Sequence, residues 1–330
     1  MATRRGRVLH REGMMRMRIV FMGTPDFAAN ILGELKEQHD VAAVYTRPDA
    51  VRGRGKKLEP SPVKKVALEA GIPVFEPRTL RDADELARLR DLRPDAVCVA
   101  AYGKILPRDV LEIPRYGCLN VHASLLPKYR GAAPIERAIL AGEREAGVCI
   151  MRMEEGLDTG DYCISRSCEI GDMDCTQLTA ELADKGALAL LSALYAIEQE
   201  TVRWTAQDDA SATYAAKIER GELNLDPALC ALDNLRRVRA SSAAHPSRFV
   251  IAGKAATVLA ASCGEDVASV CGPIGRGAVK FVAKRLFVGC DDGALEILSV
   301  RPDGKKDMNA AAFASGVQNI KSGTMVWEQM

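Results

Sequence analysis

The apolar positions of the chain fall into two regimes. From Arg18 to about residue 153, short continuous apolar runs alternate with stretches of helical period. The first run, Arg18-Ile19-Val20-Phe21-Met22-Gly23, reads as a strand ending on a glycine. Thr24-Pro25-Asp26 then supplies turn and helix-start residues before a helix to about Leu35. Further strands are predicted over Asp40–Thr46, Pro73–Phe75, Ala96–Ala101, Cys118–Ser124 and Gly147–Met153. Helices are predicted over Pro62–Glu69, 82–91, 108–112 and Ala132–Ala141, and a long amphipathic pattern from about Cys175 to Glu198 closes this part. Strands alternating with short helices imply an α/β class, a doubly wound, mostly parallel, Rossmann-like sheet covered on both faces. In such sheets ligands bind beyond the carboxyl ends of the strands.

After residue 200 the pattern changes. Trp204–Tyr214 is polar and irregular and reads as a linker, and residues 226–240 form one helix with Leu229, Leu232 and Leu235 along a face. Beyond it, short β-type runs split by Gly or Asp (Phe249–Ile251, Ala256–Ala260, Ala278–Val282, Leu286–Val288, Leu295–Val300) predict a small OB-like β-barrel. The expected division is an N-terminal extension over residues 1–17, an α/β domain over 18–207, and a linker with barrel over 208–330. A length of 330 residues also favours two domains.

Composition narrows the class. At 48% hydrophobic and 27% charged residues the chain is an ordinary globular protein rather than a disordered one. No apolar run is long enough to span a bilayer. The ten cysteines contain no C-x-x-C pair, which removes the spacing signature of zinc ribbons and thioredoxins. Without a secretory signal, a reducing cytoplasm is the expected location. The first eighteen residues hold six Arg and one acid but no apolar core. They predict a flexible extension, or a start at Met14, Met15 or Met17, rather than a signal peptide.

The net charge of +1 conceals an asymmetry. Residues 1–150 carry 26 Lys and Arg against 19 Asp and Glu, a charge of +7. Residues 151–200 carry 3 against 11, a charge of −8. A basic front half can meet a polyanion while the whole molecule stays near neutral.

The first βα turn, Gly23-Thr-Pro-Asp-Phe27, lacks the second glycine of G-x-G-x-x-G, and Asp26 would repel a pyrophosphate, so NAD is disfavoured. The richest stretch is Gly117–Pro134. Asn120 and His122 are two apart at the end of a predicted strand, so their side chains share a face. A lone strand histidine is ordinarily a satisfied core residue; the neighbouring Asn makes a functional role an equal reading. After the sixth strand, Glu154-Glu-Gly-Leu-Asp-Thr-Gly-Asp161 is an acidic, Gly-punctuated loop able to bring a carboxylate over the sheet edge, although alone it is no more than a capped turn. An amide, an imidazole and a carboxylate together suit acyl transfer: two donors hold a developing oxyanion while the carboxylate manages proton flow. No Ser or Cys sits in a G-x-S-x-G elbow, which favours direct attack by an amine substrate.

Six segments in order carry a family resemblance: Ile19–Phe27; Gly53–Lys57 with Pro60–Lys64; Ala101–Pro107; Leu119–Pro134; Gly156–Asp161; and Thr213–Ile218. Over roughly the first 220 residues the chain resembles the folate-dependent formyltransferases, and the Gly53-Arg-Gly-Lys-Lys57 insertion resembles their tRNA-acting branch rather than the sugar- and purine-modifying ones. The resemblance implies transfer of a formyl group from 10-formyltetrahydrofolate to the α-amine of initiator methionyl-tRNA, with no metal. It implies Asn120, His122 and Asp158 as the catalytic set. It also implies Ser124, Leu125, Leu126 and Pro127 as a folate-binding loop, with Tyr102, Gly103 and Leu157 lining the same pocket. Arg47–Lys65 holds seven basic residues against Asp49 and Glu59, and Arg54, Lys56 and Lys57 are expected to grip the tRNA acceptor end. Read alone, that segment is a solvated charged loop.

The match weakens in the barrel. The family's aromatic, proline-bearing turn is replaced by Ala240–Phe249, whereas Leu298–Met308 keeps the late Gly-Lys-Lys pattern. Lys254, Lys280, Lys284, Arg285, Lys305 and Lys306 are either stem contacts or ordinary surface. Two other readings compete with tRNA formylation: a sugar- or small-amine formyltransferase, which should lack the basic loop, and a non-catalytic folate- or RNA-binding protein. The family precedent is a monomer.

Overall fold

The computed structural model describes residues 16–52, 57–322 and 324–330. Its first elements are β1 (Arg18–Gly23), α1 (Asp26–Gln38), β2 (Asp40–Tyr45), the hairpin strands β3 (Ala50–Arg52) and β4 (Lys57–Glu59), and α2 (Pro62–Glu69). Next come β5 (Val74–Phe75), α3 (Ala83–Asp91), β6 (Ala96–Ala100), α4 (Arg108–Leu111) and β7 (Cys118–His122). They are followed by β8 (Arg130–Gly131), α5 (Pro134–Ala141), β9 (Glu145–Arg152), β10 (Tyr162–Glu169) and α6 (Cys175–Glu198).

Seven of these strands form one sheet in the order β10-β9-β7-β6-β1-β2-β5. The central strands β1, β6 and β7 pair in parallel, and their continuous apolar runs are buried, as a sheet covered on both faces requires. Helix starts follow local chemistry. Ser61 accepts a hydrogen bond from the Lys64 N–H and Pro62 occupies the first turn of α2. Asp82 caps α3 in the same way. Helix α5 begins on Pro134 and ends on Gly142 in the left-handed conformation.

Two features depart from the expected sheet. The sixth predicted strand begins earlier, as β9, and runs antiparallel to β7. Strand β10 had no prediction: its side chains are half-buried to exposed, as on a sheet edge, and such a strand has no continuous apolar run to announce it. The expected extension over 1–17 lies outside the described residues except for Arg16 and Met17. Met17 is already part of the fold, being buried with its carbonyl accepting from the Asp40 N–H at 3.0 Å.

Beyond α6 lie β11 (Tyr214–Ala215), α7 (Ala231–Arg239), β12 (Arg248–Ile251), β13 (Lys254–Ser262) and α8 (Glu265–Cys271). The chain ends with β14 (Val279–Val282), β15 (Arg285–Gly289), β16 (Ala294–Pro302), β17 (Met308–Asn309), α9 (Ala310–Ser315) and β18 (Trp327–Glu328). The second sheet runs β14-β15-β16-β13-β12-β18, with β17 on β16. An antiparallel bridge between Ala278 and Val326 brings its first and last strands together, so the sheet is a nearly closed barrel. Phe249, Ile251, Val258, Leu286, Val288 and Trp327 fill it, and the Trp327 indole N–H donates to Gly289 O at 2.9 Å. Helix α7 starts later than predicted for a visible reason. The buried Asn234 amide takes both the N–H and the C=O of Asp226, which holds residues 226–230 as a turn ahead of the cap at Cys230.

By contacts the chain divides into two interleaved units. The first comprises Met1–His122, Val148–Arg166 and Leu182–Asp208; the second comprises Ala123–Gly147, Ser167–Glu181 and Asp209–Met330. No helix among the described residues is long and apolar enough to cross a membrane.

Candidate active site

In the first unit, β7 presents Asn120 and His122 on one face, at the carboxyl end of the strand. Asn120 is held in register between Val99 of β6 and Met151 of β9, and His122 pairs with Cys149. His122 is buried and Asn120 half-buried. The acidic loop that follows β9 returns to this face: His122 Nδ1 lies 3.6 Å from Asp158 Oδ2. The exposures are 5% for the imidazole and 15% for the carboxylate, so solvent screens the pair weakly.

The loop is built for close approach. The Arg152 N–H donates to Asp161 O at 2.8 Å, which brings the two ends of the loop together. Gly160 stands where a Cβ would fall 1.9 Å from Arg152 O, so only glycine fits. Asp158 itself is left-handed, with φ +53°, a conformation uncommon for a residue with a side chain and frequent at functional positions. Gln207 Nε2 donates to the carbonyls of Asp158 at 2.8 Å and Gly160 at 2.6 Å. Gln207 falls in Trp204–Tyr214, which the sequence reads as a polar, irregular linker at the end of the α/β domain. Its one signal was being a polar residue beside a domain boundary, too weak to distinguish it.

The remaining predicted positions are placed as follows. Tyr102 lies in the apolar core of the first unit with Val20, Met22, Val97 and Val99. Its hydroxyl has no hydrogen-bond partner, and burial followed by the Glu85 charge pushes its pKa up to about 12. Gly103 is left-handed at φ +74°, and its carbonyl accepts from the Arg47 guanidinium. Leu157 is exposed in the acidic loop.

The second unit holds Ser124, Leu125, Leu126 and Pro127, which follow β7 directly in the chain. The Ser124 hydroxyl donates to Lys128 O at 2.6 Å, Lys128 N–H to Leu125 O at 3.1 Å, and Leu126 is buried. The Leu126–Pro127 bond is cis. Downstream, β8 pairs in parallel with β11, Tyr129 N–H donates to Thr213 Oγ1 at 2.9 Å, and the buried Arg130 reaches Asp209 at 2.8 Å.

The predicted basic loop is framed by β3 and β4, with Arg52 opposite Lys57. Arg54 and Lys56 lie outside the described residues. Among the described residues, Arg47 and Lys64 of this segment have structural partners. Arg47 holds Gly103 O, and Lys64 bridges Asp49 at 2.8 Å and Glu76 at 2.7 Å, two hydrogen bonds that raise its pKa. Ser61 Oγ and Thr46 Oγ1 lie 2.8 Å apart and are buried.

A doubly wound sheet whose strand end gathers Asn, His and Asp, followed by a small barrel, defines the class of formyl transferases. Residues 17–194 match the formyl transferase family model and residues 226–318 its C-terminal domain model. The chain belongs to the methionyl-tRNA formyltransferase family. It is 46% identical to the methionyl-tRNA formyltransferase of Methylococcus capsulatus, over 90% of this chain and 96% of that one. It is 44% identical to that of Pseudomonas fluorescens, over 94% and 97%. Among solved structures, HypX from Aquifex aeolicus in complex with tetrahydrofolic acid shares the fold with a TM-score of 0.65 at 19% identity, covering 93% of this chain and 48% of that one. An N-formyltransferase from Helicobacter canadensis, in complex with folinic acid and dTDP-3-aminofucose, gives 0.61 at 19% identity, over 87% and 99%.

Proposed function

We propose that the chain transfers the formyl group of 10-formyltetrahydrofolate to the α-amine of initiator methionyl-tRNA, giving the N-formylmethionyl-tRNA used to start translation. The observation that carries this reading is the placement of Asn120 and His122 on one strand face with the Asp158 carboxylate 3.6 Å from the imidazole. Folate supplies a formyl group on a nitrogen that can leave. The amine attacks the formyl carbon, a new C–N bond forms, the bond to the folate nitrogen breaks, and the proton the amine gives up ends on that departing nitrogen. Negative charge gathers on the formyl oxygen as its carbon becomes tetrahedral, and the Asn120 amide and an N–H of the His122 ring are the donors for it. Asp158 orients the imidazole and takes part in moving the proton through water.

Ser124–Pro127, Gly103 and Leu157 are assigned to folate binding. Tyr102 contributes through the backbone around it, because its ring belongs to the core. Arg54, Lys56 and Lys57 are assigned to the tRNA acceptor end; Lys64, which follows β4 in the chain, pairs with Asp49 just ahead of β3. No step requires a metal. The protein works in the cytoplasm, as a monomer. Incubation with 10-formyltetrahydrofolate and methionyl-tRNA, followed by acid-gel separation of the aminoacyl-tRNA, tests the proposal. Formyl-methionyl-tRNA supports it. Product with an amino sugar instead would move the chain to the sugar-modifying branch, and no product with either would make it a binding protein.

A further inference from the structure

The left-handed backbone at Asp158 persists only if its surroundings over-determine it. Gly160 permits the loop to close on Arg152 but does not hold it there. The holding group comes from a different segment. Thr205 pairs with Tyr162 at the start of β10 through hydrogen bonds of 2.8 and 3.1 Å in both directions. Two residues further on, the half-buried Gln207 points its carboxamide at the loop. Both N–H groups of that amide donate to main-chain carbonyls, one at Asp158 and one at Gly160, so they bracket Thr159.

We infer that Gln207 is a positioning residue for formyl transfer: its carboxamide fixes the main chain of Asp158 so that the carboxylate stays beside His122. It touches neither reacting atom and acts only through Asp158. The inference rests on the proposed formyltransferase activity for its catalytic consequence, but the clamp itself is a statement about the loop. The amide is suited to the task because it offers two donors in one plane. A carboxylate of the same shape offers none and would repel both carbonyl oxygens.

The test compares the full chain with Gln207→Glu and Gln207→Ala, each alone and combined with Asp158→Asn. Thermal melts of all variants check that they fold. Hydrogen exchange of the Thr159, Gly160 and Asp161 amides should accelerate in Gln207→Glu and Gln207→Ala while exchange in the barrel strands stays unchanged. In steady-state formylation, kcat should fall by about 10–100-fold with KM for tRNA and folate within about twofold. In the Asp158→Asn background the same change should cost less than about threefold, because the group it positions is already disabled. An equal loss in both backgrounds, or an unchanged kcat in Gln207→Glu, would overturn the positioning role. Unchanged loop exchange would overturn the clamp. If the parent chain forms no formyl-methionyl-tRNA, the functional proposal fails, and the exchange measurement still decides whether Gln207 holds the loop.

Discussion

His122 Nδ1 and Asp158 Oδ2 lie 3.6 Å apart, although a loop, helix α5, strand β9 and half of the acidic loop separate them in the chain. The separation exceeds a hydrogen bond and matches an ion pair, so the attraction grows when the imidazole takes a proton. A carboxylate so placed also orients the ring whose face neighbours Asn120.

That coupling predicts non-additive kinetics. Asp158→Asn and His122→Ala should each lower kcat by about 10²–10³-fold. The double variant should be little worse than the poorer single one, because residues that act as a unit do not contribute independently. Steady-state formylation of methionyl-tRNA measures all three. A double variant as poor as the product of the two single losses would mean that the residues act separately.

Gly160→Ala places a Cβ 1.9 Å from Arg152 O, far inside van der Waals contact, so the loop must move. We expect a stability loss of about 1–3 kcal/mol by urea titration and, from a displaced Asp158, a larger proportional fall in kcat than in tRNA affinity. Full activity in this variant would show that the tight closure on Arg152 is not needed for the site.

The basic hairpin predicts salt-sensitive binding. Arg54→Ala should weaken tRNA binding more at low salt than at high salt, flattening the dependence of log affinity on log salt by roughly 0.7 per lost contact to single-stranded RNA. Lys64→Met, which unties Asp49 and Glu76 from the hairpin base, should weaken binding less, because Lys64 is already paired. Filter-binding titrations across salt concentrations distinguish the two. An unchanged slope in Arg54→Ala would remove this residue from the tRNA contacts.

His39 gives the fold a pH dependence unrelated to catalysis. It is buried, neither ring nitrogen has a hydrogen-bond partner, and burial followed by the Arg16 charge holds its pKa below the ordinary 6.5. The unfolded chain therefore takes up this proton before the folded one as pH falls. The contribution is complete above the unfolded pKa and is lost as pH drops through and below 6.5. His39→Leu should reduce the fall in urea midpoint between pH 7.5 and pH 5, and equal falls in variant and parent would contradict the assignment.

The sequence pattern made particular parts of this molecule legible. Buried central strands such as Ile19–Met22 announce themselves through continuous apolar runs, and Ser61-Pro62 announces a helix start, because the physics there is local. Asn120 and His122 could be paired because strand alternation alone puts them on one face. Four things were not legible in their own residues. The reversal of β9 against β7 is set by what lies between them rather than by its own residues. Edge strand β10 lacks an apolar run, and the turn before α7 is fixed by Asn234 from inside the helix. The role of Gln207 depends on a segment returning to a loop far earlier in the chain, which spacing cannot reveal. Tyr102 stood in a recognisable motif, yet its ring went to the core, because a motif specifies the neighbourhood and not the direction of each side chain.

The most direct test of the central claim is single-turnover formyl transfer from 10-formyltetrahydrofolate to methionyl-tRNA by the unaltered chain and by Asn120→Ala. Asn120 stands next to His122 on the strand face and, as an uncharged donor, reports on oxyanion stabilisation without disturbing the His122–Asp158 pair. The account predicts formyl-methionyl-tRNA from the parent, and a rate lower by about 10²–10³-fold in the variant with both substrates still bound. An equal rate in the two proteins, or no product from the parent, would contradict it.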